Sequence, residues 1–467
     1  LHLSIRRQRQ MCIRDSFTTV EITFIALVLE VAFTLFLVGV WPYAVRLVRW
    51  GFRKTHPDSS NKGLSKVKKG LCYFYSATAV ALFIGVGFSI HWQQDHTMKV
   101  WQQGNVVQIK LEIDQKLASV VQERDIRDLC FGLVKGNQTY SRCLSQSPSE
   151  DTFVLDDSAI FEIGSISKTF TYAAMIKVLN KHNVEINSPI GAFLPDDLAT
   201  KNPSLATITW QQLATHTSGL TRMPFDWNWT SARSLLKSTT LGDGFKDFTS
   251  DYVLDFLAMT QLNEERGAHA EYSNLAVGLL GLLLSEMESK SYAQLIQELV
   301  VSPLNMTSTT AGFSHGSTRN VDAYGQYRRL GSIVIAAKSA PIELSDAMAG
   351  AGAVNSSLGD MMNYLNKSMQ QYQMPIFQEA AYSAPIGQRS RVNLGWIVTP
   401  ISEKNSDKIV FHDGATGGFR SYMGFDQSSQ VGIVILANGT RSINALGKEM
   451  LKLLIESETS KELVAEL

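Results

Sequence analysis

The feature that most restricts the fold is how two periodicities are distributed along the chain. Alternating, β-branched-rich stretches cluster near 130–143 and again at 393–398, 408–412, 419–426 and 431–437. Three-and-four spacing of apolar residues occupies much of the region between them, at 165–179, 207–216, 251–261 and 275–300. Further helical patterns run over 106–124 and 443–456, and 222–250 has no clean period. Strands at both ends with helices in the middle predict an α+β fold. One antiparallel sheet is built from both ends of the domain, flanked by helices, with a mostly helical subdomain inserted between its halves.

The first strand pair sets its own register. In CFGLVKGNQTYSRC, Gly136-Asn137 is a two-residue hairpin loop. Counting outward places Lys135 opposite Gln138 and Cys130 opposite Cys143. A non-hydrogen-bonded antiparallel pair has Cα atoms about 4.5 Å apart, within disulfide range. A Cys130–Cys143 disulfide would imply an oxidising compartment, and two unpaired core thiols are the alternative.

Upstream lie two apolar runs, 22–45 and 71–92, each long enough to cross a hydrocarbon core of about 30 Å. Between them, 46–70 carries Arg46, Arg49, Arg53, Lys54, Lys62, Lys66, Lys68 and Lys69 against one acid, Asp58. The expectation is a transmembrane hairpin over 17–92 with a cytoplasmic loop, a linker at 93–106 and an exported domain at 107–457. Glu30, inside the first run, is expected to face the second helix. The first run lacks a small-residue cleavage site, which favours an anchor over a signal peptide. Residues 1–16, with Met11-Cys12-Ile13-Arg14-Asp15-Ser16, look like a translated sequencing adaptor and are set aside as non-native. Residues 458–467 read as a tail. Overall charge is balanced, 43 basic against 43 acidic residues, which argues against nucleic acid as a partner.

Three constellations carry chemistry. Ser165-Ile166-Ser167-Lys168 opens a helical run, so Lys168 shares a face with Ser165 and can reach its hydroxyl. A serine needs such a base to become a nucleophile, and a helix's first turn adds N–H groups that favour negative charge. Ser-x-x-Lys alone also occurs on solvated helix faces. Tyr272-Ser273-Asn274 supplies a phenol, able to act as a base toward Ser165, and an amide. His412-Asp413-Gly414-Ala415-Thr416-Gly417-Gly418-Phe419 leaves a strand edge bare, so a substrate can lie against its N–H groups.

Together these motifs resemble the serine β-lactamase and penicillin-binding superfamily, in the branch holding class C β-lactamases, DD-carboxypeptidases, D-aminopeptidases and related esterases. The likeness extends through LATHTSGL at 213–220, GAGAVNSS at 350–357 and the 412–419 segment, covering roughly 107–457. It implies a β-lactamase/transpeptidase-like fold with Ser165 as acylated nucleophile, Lys168 assisting its deprotonation and Tyr272 relaying the proton to the leaving group. Backbone N–H groups of Ser165 and Ala415 would form the oxyanion hole. His412 would stand where class C enzymes have lysine. Asn274, Asp413 and Gly414 would meet the substrate. His216, in the Thr-His-Thr-Ser-Gly turn, is expected to be structural. Asp413 departs from the family's Thr or Ser, and facing the cleft it would repel a substrate carboxylate unless it points away.

The resulting expectation is a membrane-anchored periplasmic serine hydrolase of the bacterial inner membrane. It acts through an acyl-enzyme on an ester or a peptide-like substrate, peptidoglycan-derived peptides included, with no cofactor and no metal. The alternatives are a slowly deacylating β-lactam or cell-wall sensor, a DD-carboxypeptidase or β-lactamase proper, and a non-catalytic scaffold. Specificity is expected to reside in 222–250, with Phe225, Trp227 and Trp229, and in 311–345.

Overall fold

The computed structural model describes residues 110–122, 126–146, 155–224, 248–263, 265–312, 320–321, 324–330, 333–338, 341–378, 382–401 and 408–456. The expected transmembrane hairpin, its basic loop, the linker and the adaptor-like segment lie outside these residues, as do Phe225, Trp227 and Trp229. By compactness the chain divides at Val100–Trp101, and the described residues all belong to the second unit, Trp101–Leu467. Among the described residues no helix is long and apolar enough to cross a membrane.

The central sheet has eight antiparallel strands in the order β2-β1-β13-β12-β11-β10-β9-β8. Strands β1 (Asp128–Lys135) and β2 (Gln138–Ser145) form the expected hairpin, with Lys135 opposite Gln138 and Gly136 at positive φ in the turn. Cys130 pairs with Cys143 in that register at a Cα separation of 4.1 Å, and the disulfide is formed. β1 pairs on its other side with β13 (Val431–Asn438), which pairs with β12 (Phe419–Asp426) and it with β11 (Lys408–Ala415). Both ends of the domain thus meet in one sheet, as the periodicities predict.

Alternation along these strands feeds two cores. One face, with Leu129, Phe131, Leu133, Phe411, Tyr422, Ile433 and Ile435, packs against α1 (110–122) and α11 (Asn444–Glu456) through Ile113, Leu117, Leu446 and Met450. The other, with Cys130, Val134, Met423, Val434 and Leu436, packs under α2 (Ser167–Lys181) and α9 (Leu358–Gln371) through Phe170, Met361 and Leu365. Helix α9 has a Ser357 cap accepting from the Asp360 N–H, a start signal that apolar periodicity does not carry. The ring of Phe170 stacks on Tyr364 at 4.0 Å between centroids, tying α2 to α9.

The inserted part holds short helices α3 (Asp196–Lys201) and α4 (Trp210–Ala214), then α5 (Ser250–Met259), α6 (Asn274–Glu288), α7 (Tyr292–Ile296) and α8 (Asp346–Ala349). A three-stranded sheet of β3 (Ile160–Glu162), β7 (Val354–Ser357) and β4 (Thr310–Ala311) lies beside the nucleophile turn, and β5 (Tyr324–Leu330) pairs with β6 (Ile333–Lys338).

Two expectations need correction. The helical pattern over 275–300 is not continuous: Ser289 adopts φ 52° and ends α6 before α7 begins. The single strand expected over 393–398 is two: β9 (Ser390–Asn393), also paired with β8 (Ser383–Ile386), and β10 (Trp396–Pro400). Between β9 and β10, Leu394 and Gly395 both take positive φ, 42° and 84°, the pattern of a tight hairpin turn. Leu394 is fully buried, so the turn reads as strand interior. After α10 (Pro375–Gln378) this hairpin completes the sheet's far edge.

Candidate active site

The nucleophile turn depends on two glycines. Gly164 sits at φ +51°, and a Cβ there would lie 2.8 Å from the Ala415 nitrogen. A Cβ on Gly414 would lie 2.1 Å from the Ile163 carbonyl oxygen. Without side chains at both places, β11 lies directly against the 3₁₀ turn Gly164–Ile166 that carries Ser165. Ser421 Oγ, on the neighbouring strand, donates to the same Ile163 carbonyl at 2.7 Å and fixes the approach. The Ala415 N–H is thereby held beside the Ser165 turn, as an oxyanion pair requires.

Helix α2 then brings Lys168 under Ser165. Its Nζ lies 3.0 Å from Ser165 Oγ and donates to the Ala351 carbonyl at 2.7 Å. The side chain is fully buried. That burial, reinforced by the positive charge of Arg222 and opposed by Asp413, pushes its pKa well below the usual lysine range. A neutral amine in this place can take the Ser165 proton.

Tyr272 arrives from the start of α6. Its phenol faces the Ser165 hydroxyl, and its ring centroid stands 5.0 Å from Lys168 Nζ. Burial raises its pKa, with the Ser165 hydroxyl only partly offsetting, so the phenol keeps its proton. A protonated phenol beside a neutral amine suits the relay expected of Tyr272, with a proton to give on one side and a lone pair to take one on the other.

The turn Thr215–Leu220 holds the tyrosine in place. His216 has φ 58°, and its ring lies 4.6 Å from that of Tyr272. Its Nδ1 accepts the Ser273 N–H at 3.2 Å, and its carbonyl accepts the Glu271 N–H at 2.8 Å. Its role is structural, as expected. Ser273 caps α6 by accepting from the Ala276 N–H and donates to the Thr221 carbonyl at 2.7 Å. Asn274 is the first residue of α6, and its Nδ2 approaches Met223 Sδ at 3.2 Å.

His412 lies in β11, 2% exposed, its ring centroid 6.4 Å from that of Tyr272. Its Nδ1 donates to the Asp413 carbonyl at 2.7 Å, which leaves Nε2 as an acceptor with no partner among the described residues. Burial pushes its pKa down to about 4, with Asp413 opposing, so the ring is neutral at pH 7. β10 pairs with β11 only from Lys408 to Phe411, so the segment from His412 to Ala415 has no partner strand on that side among the described residues.

Asp413 takes the second of its two expected orientations, away from the cleft. Asp413 alternates to the opposite face of β11, where its Oδ2 accepts from Asn444 Nδ2 at 2.8 Å at the start of α11. Gly414 is required by the close approach to Ile163. Two participants escaped sequence reasoning. Ala351, the acceptor for Lys168, lies in a Gly-Ala run with no chemical signature. Arg222, whose Cζ stands 5.0 Å from the Tyr272 centroid, opens the irregular segment, where no periodicity points inward.

The fold and the site together define a serine hydrolase of the acyl-transfer type. The chain belongs to the Beta-lactamase family, whose model matches residues 113–453. It is 28% identical over 356 residues to the D-alanyl-D-alanine-carboxypeptidase/endopeptidase AmpH of Escherichia coli K12, spanning 72% of this chain and 83% of that one. Protein flp of Staphylococcus aureus MRSA252 is 27% identical over 284 residues, 60% of this chain and 52% of its own. Among solved structures, a class C β-lactamase superposes with TM-score 0.58 at 18% identity, covering 75% of this chain and 97% of that one. A β-lactamase/D-alanine carboxypeptidase from Pseudomonas syringae superposes with TM-score 0.57 at 19% identity, covering 75% and 99%. At these identities the structural likenesses speak for the fold alone.

Proposed function

We propose that the chain is a membrane-anchored serine hydrolase that cleaves an ester or a peptide-like amide through an acyl-enzyme. The observation that carries this reading is Ser165 Oγ held 3.0 Å from a fully buried lysine amine, with the ring of Tyr272 beside that same amine. Lys168 Nζ takes the Ser165 proton as Oγ attacks the substrate carbonyl. The oxyanion that forms lies between the N–H groups of Ser165 and Ala415, each such donor contributing about 3 kcal/mol of transition-state stabilisation. Tyr272 gives its proton to the leaving oxygen or nitrogen as the bond to carbon breaks, and recovers one from Lys168. A water molecule then attacks the acyl-Ser165 ester along the reverse proton route. Asn274 contacts the acyl amide. Neutral His412 offers Nε2 as an acceptor at the inner wall of the cleft.

The carboxypeptidase/endopeptidase name of the AmpH relative supports cell-wall peptides as substrates. The apolar runs 22–45 and 71–92 around a basic loop support an anchor in the inner membrane, and the Cys130–Cys143 disulfide supports a periplasmic catalytic domain. The full chain, purified in detergent, is tested on p-nitrophenyl esters, D-amino-acid peptides and nitrocefin, with Ser165→Ala as control. Turnover that vanishes in Ser165→Ala is expected. A single stoichiometric burst would select the sensor reading, and activity retained in the variant would overturn the nucleophile assignment.

A further inference from the structure

An anionic substrate finds no cationic partner at the cleft end of β11, His412–Ala415. Position 413 is a carboxylate turned away to Asn444, and His412 is neutral with its Nδ1–H spent on a backbone carbonyl. The charge is on the other wall. Arg222 is exposed, and its guanidinium carbon stands 5.0 Å from the centre of the Tyr272 ring. Its backbone is anchored, because its carbonyl accepts the Asn274 N–H at 2.9 Å at the start of α6. Its guanidinium makes no ion pair or hydrogen bond with any described residue, although acids and carbonyls satisfy several arginines elsewhere, Arg391 with Ser383 and Arg420 with Thr416 among them. Stacking on a ring uses the face of a guanidinium and leaves the N–H edge free. That edge is a planar fork matched to a carboxylate.

We infer that Arg222 is a specificity-determining residue, binding a carboxylate on the departing half of the substrate. The inference rests on the acyl-enzyme reading, since the departing half is located by Tyr272. The phenol that protonates the leaving atom belongs to the ring over which Arg222 lies, so a carboxylate a few bonds from that atom comes within reach of the fork. The acyl half is directed toward Asn274. Both substrate classes proposed above include such molecules: peptides that release a residue with a free α-carboxylate, and esters of hydroxy acids.

The test uses the full chain in detergent and two esters with the same acyl group, p-nitrophenyl butyrate and 3-carboxy-4-nitrophenyl butyrate. The quantity read is the ratio of their kcat/KM values, carboxylated over neutral. Removing Arg222 also alters Lys168, but that effect is common to both esters and cancels in the ratio. Arg222→Gln is expected to lower the ratio about tenfold, as loss of one charge-assisted hydrogen bond does. Arg222→Lys, which keeps charge but not the fork, restores it in part. An unchanged ratio in Arg222→Gln overturns the inference while Ser165-dependent hydrolysis of the neutral ester leaves the acyl-enzyme reading standing. A fall confined to p-nitrophenyl hemisuccinate, whose carboxylate is on the acyl half, overturns the placement. No Ser165-dependent hydrolysis of any ester removes the reading beneath it.

Discussion

Replacing Gly414 by alanine tests the architecture of the cleft with a single carbon atom. The added Cβ would lie 2.1 Å from the Ile163 carbonyl oxygen and 2.3 Å from Ser421 Oγ. The serine hydroxyl can rotate away, but the carbonyl is backbone in the turn that carries Ser165. Restoring an ordinary contact therefore parts β11 from that turn by about 1 Å, and a misplacement of that size costs on the order of 100-fold in rate. Overpacking of this kind destabilises by about 1–3 kcal/mol, which a folded domain of this size tolerates. The expected outcome is a folded protein with modestly reduced Tm and an acylation rate down about 100-fold, measured by stopped-flow with a p-nitrophenyl ester. KM should move little, since the clash falls on the turn that carries Ser165 and not on a residue proposed to bind the acyl group. The double variant Gly414→Ala with Ser421→Ala removes the hydroxyl contact and leaves the carbonyl contact, so it should not recover. Activity of Gly414→Ala within threefold of wild type, with native stability, would refute the reasoning that strand and turn must touch.

The pH–rate profile should have an acid limb far below the ordinary lysine pKa, because the working Lys168 is the neutral amine favoured by burial; Arg222→Gln should move that limb to higher pH. His412, with a folded pKa of about 4 against an ordinary 6.5, takes up its proton more readily when unfolded. Stability from this source is present above pH 6.5 and lost as pH falls toward 4, a difference of about 3 kcal/mol at most, and urea titrations of His412→Gln should show a flatter acid profile. Reducing Cys130–Cys143, or replacing both cysteines by alanine, should cost about 3 kcal/mol of stability, read as a lowered urea midpoint with the Ser165-dependent rate retained below the transition. His216→Ala should lower kcat more than it raises KM, because it frees the Tyr272 ring rather than removing a substrate contact.

Much of this was legible in the sequence where local chemistry decides the outcome. The β1–β2 register followed from Gly136-Asn137 and alternation, and it placed both cysteines correctly. The Ser165–Lys168 contact followed from one helical turn, whereas the helix expected over 207–216 begins only at Trp210, where Thr209 forms a capping box with Gln212. What escaped is set by tertiary juxtaposition. Leu394 sits in a turn yet is apolar because the turn is buried, and Gly395 is glycine because a Cβ there would strike the Tyr172 ring at 1.8 Å. The facing of Asp413 was decided by Asn444 on a helix that the motif does not include. Arg222 has no motif, since its place over Tyr272 comes from the packing of the 215–220 turn against the start of α6.

The seam between β1 and β13 has a further consequence. Asp128 N–H donates to the Asn438 side chain 310 residues away, and Cys130 lies opposite Leu436. The nucleophile belongs to the early half of the polypeptide, whereas the strand that completes its oxyanion pair belongs to the last sixty residues or so. The reactive serine stays idle until β11 has been made, because so distant a contact closes only after the later strand exists. Chemistry switches on only when the early and late strands are sewn into one sheet, so a chain lacking β11 would be inactive as well as incomplete.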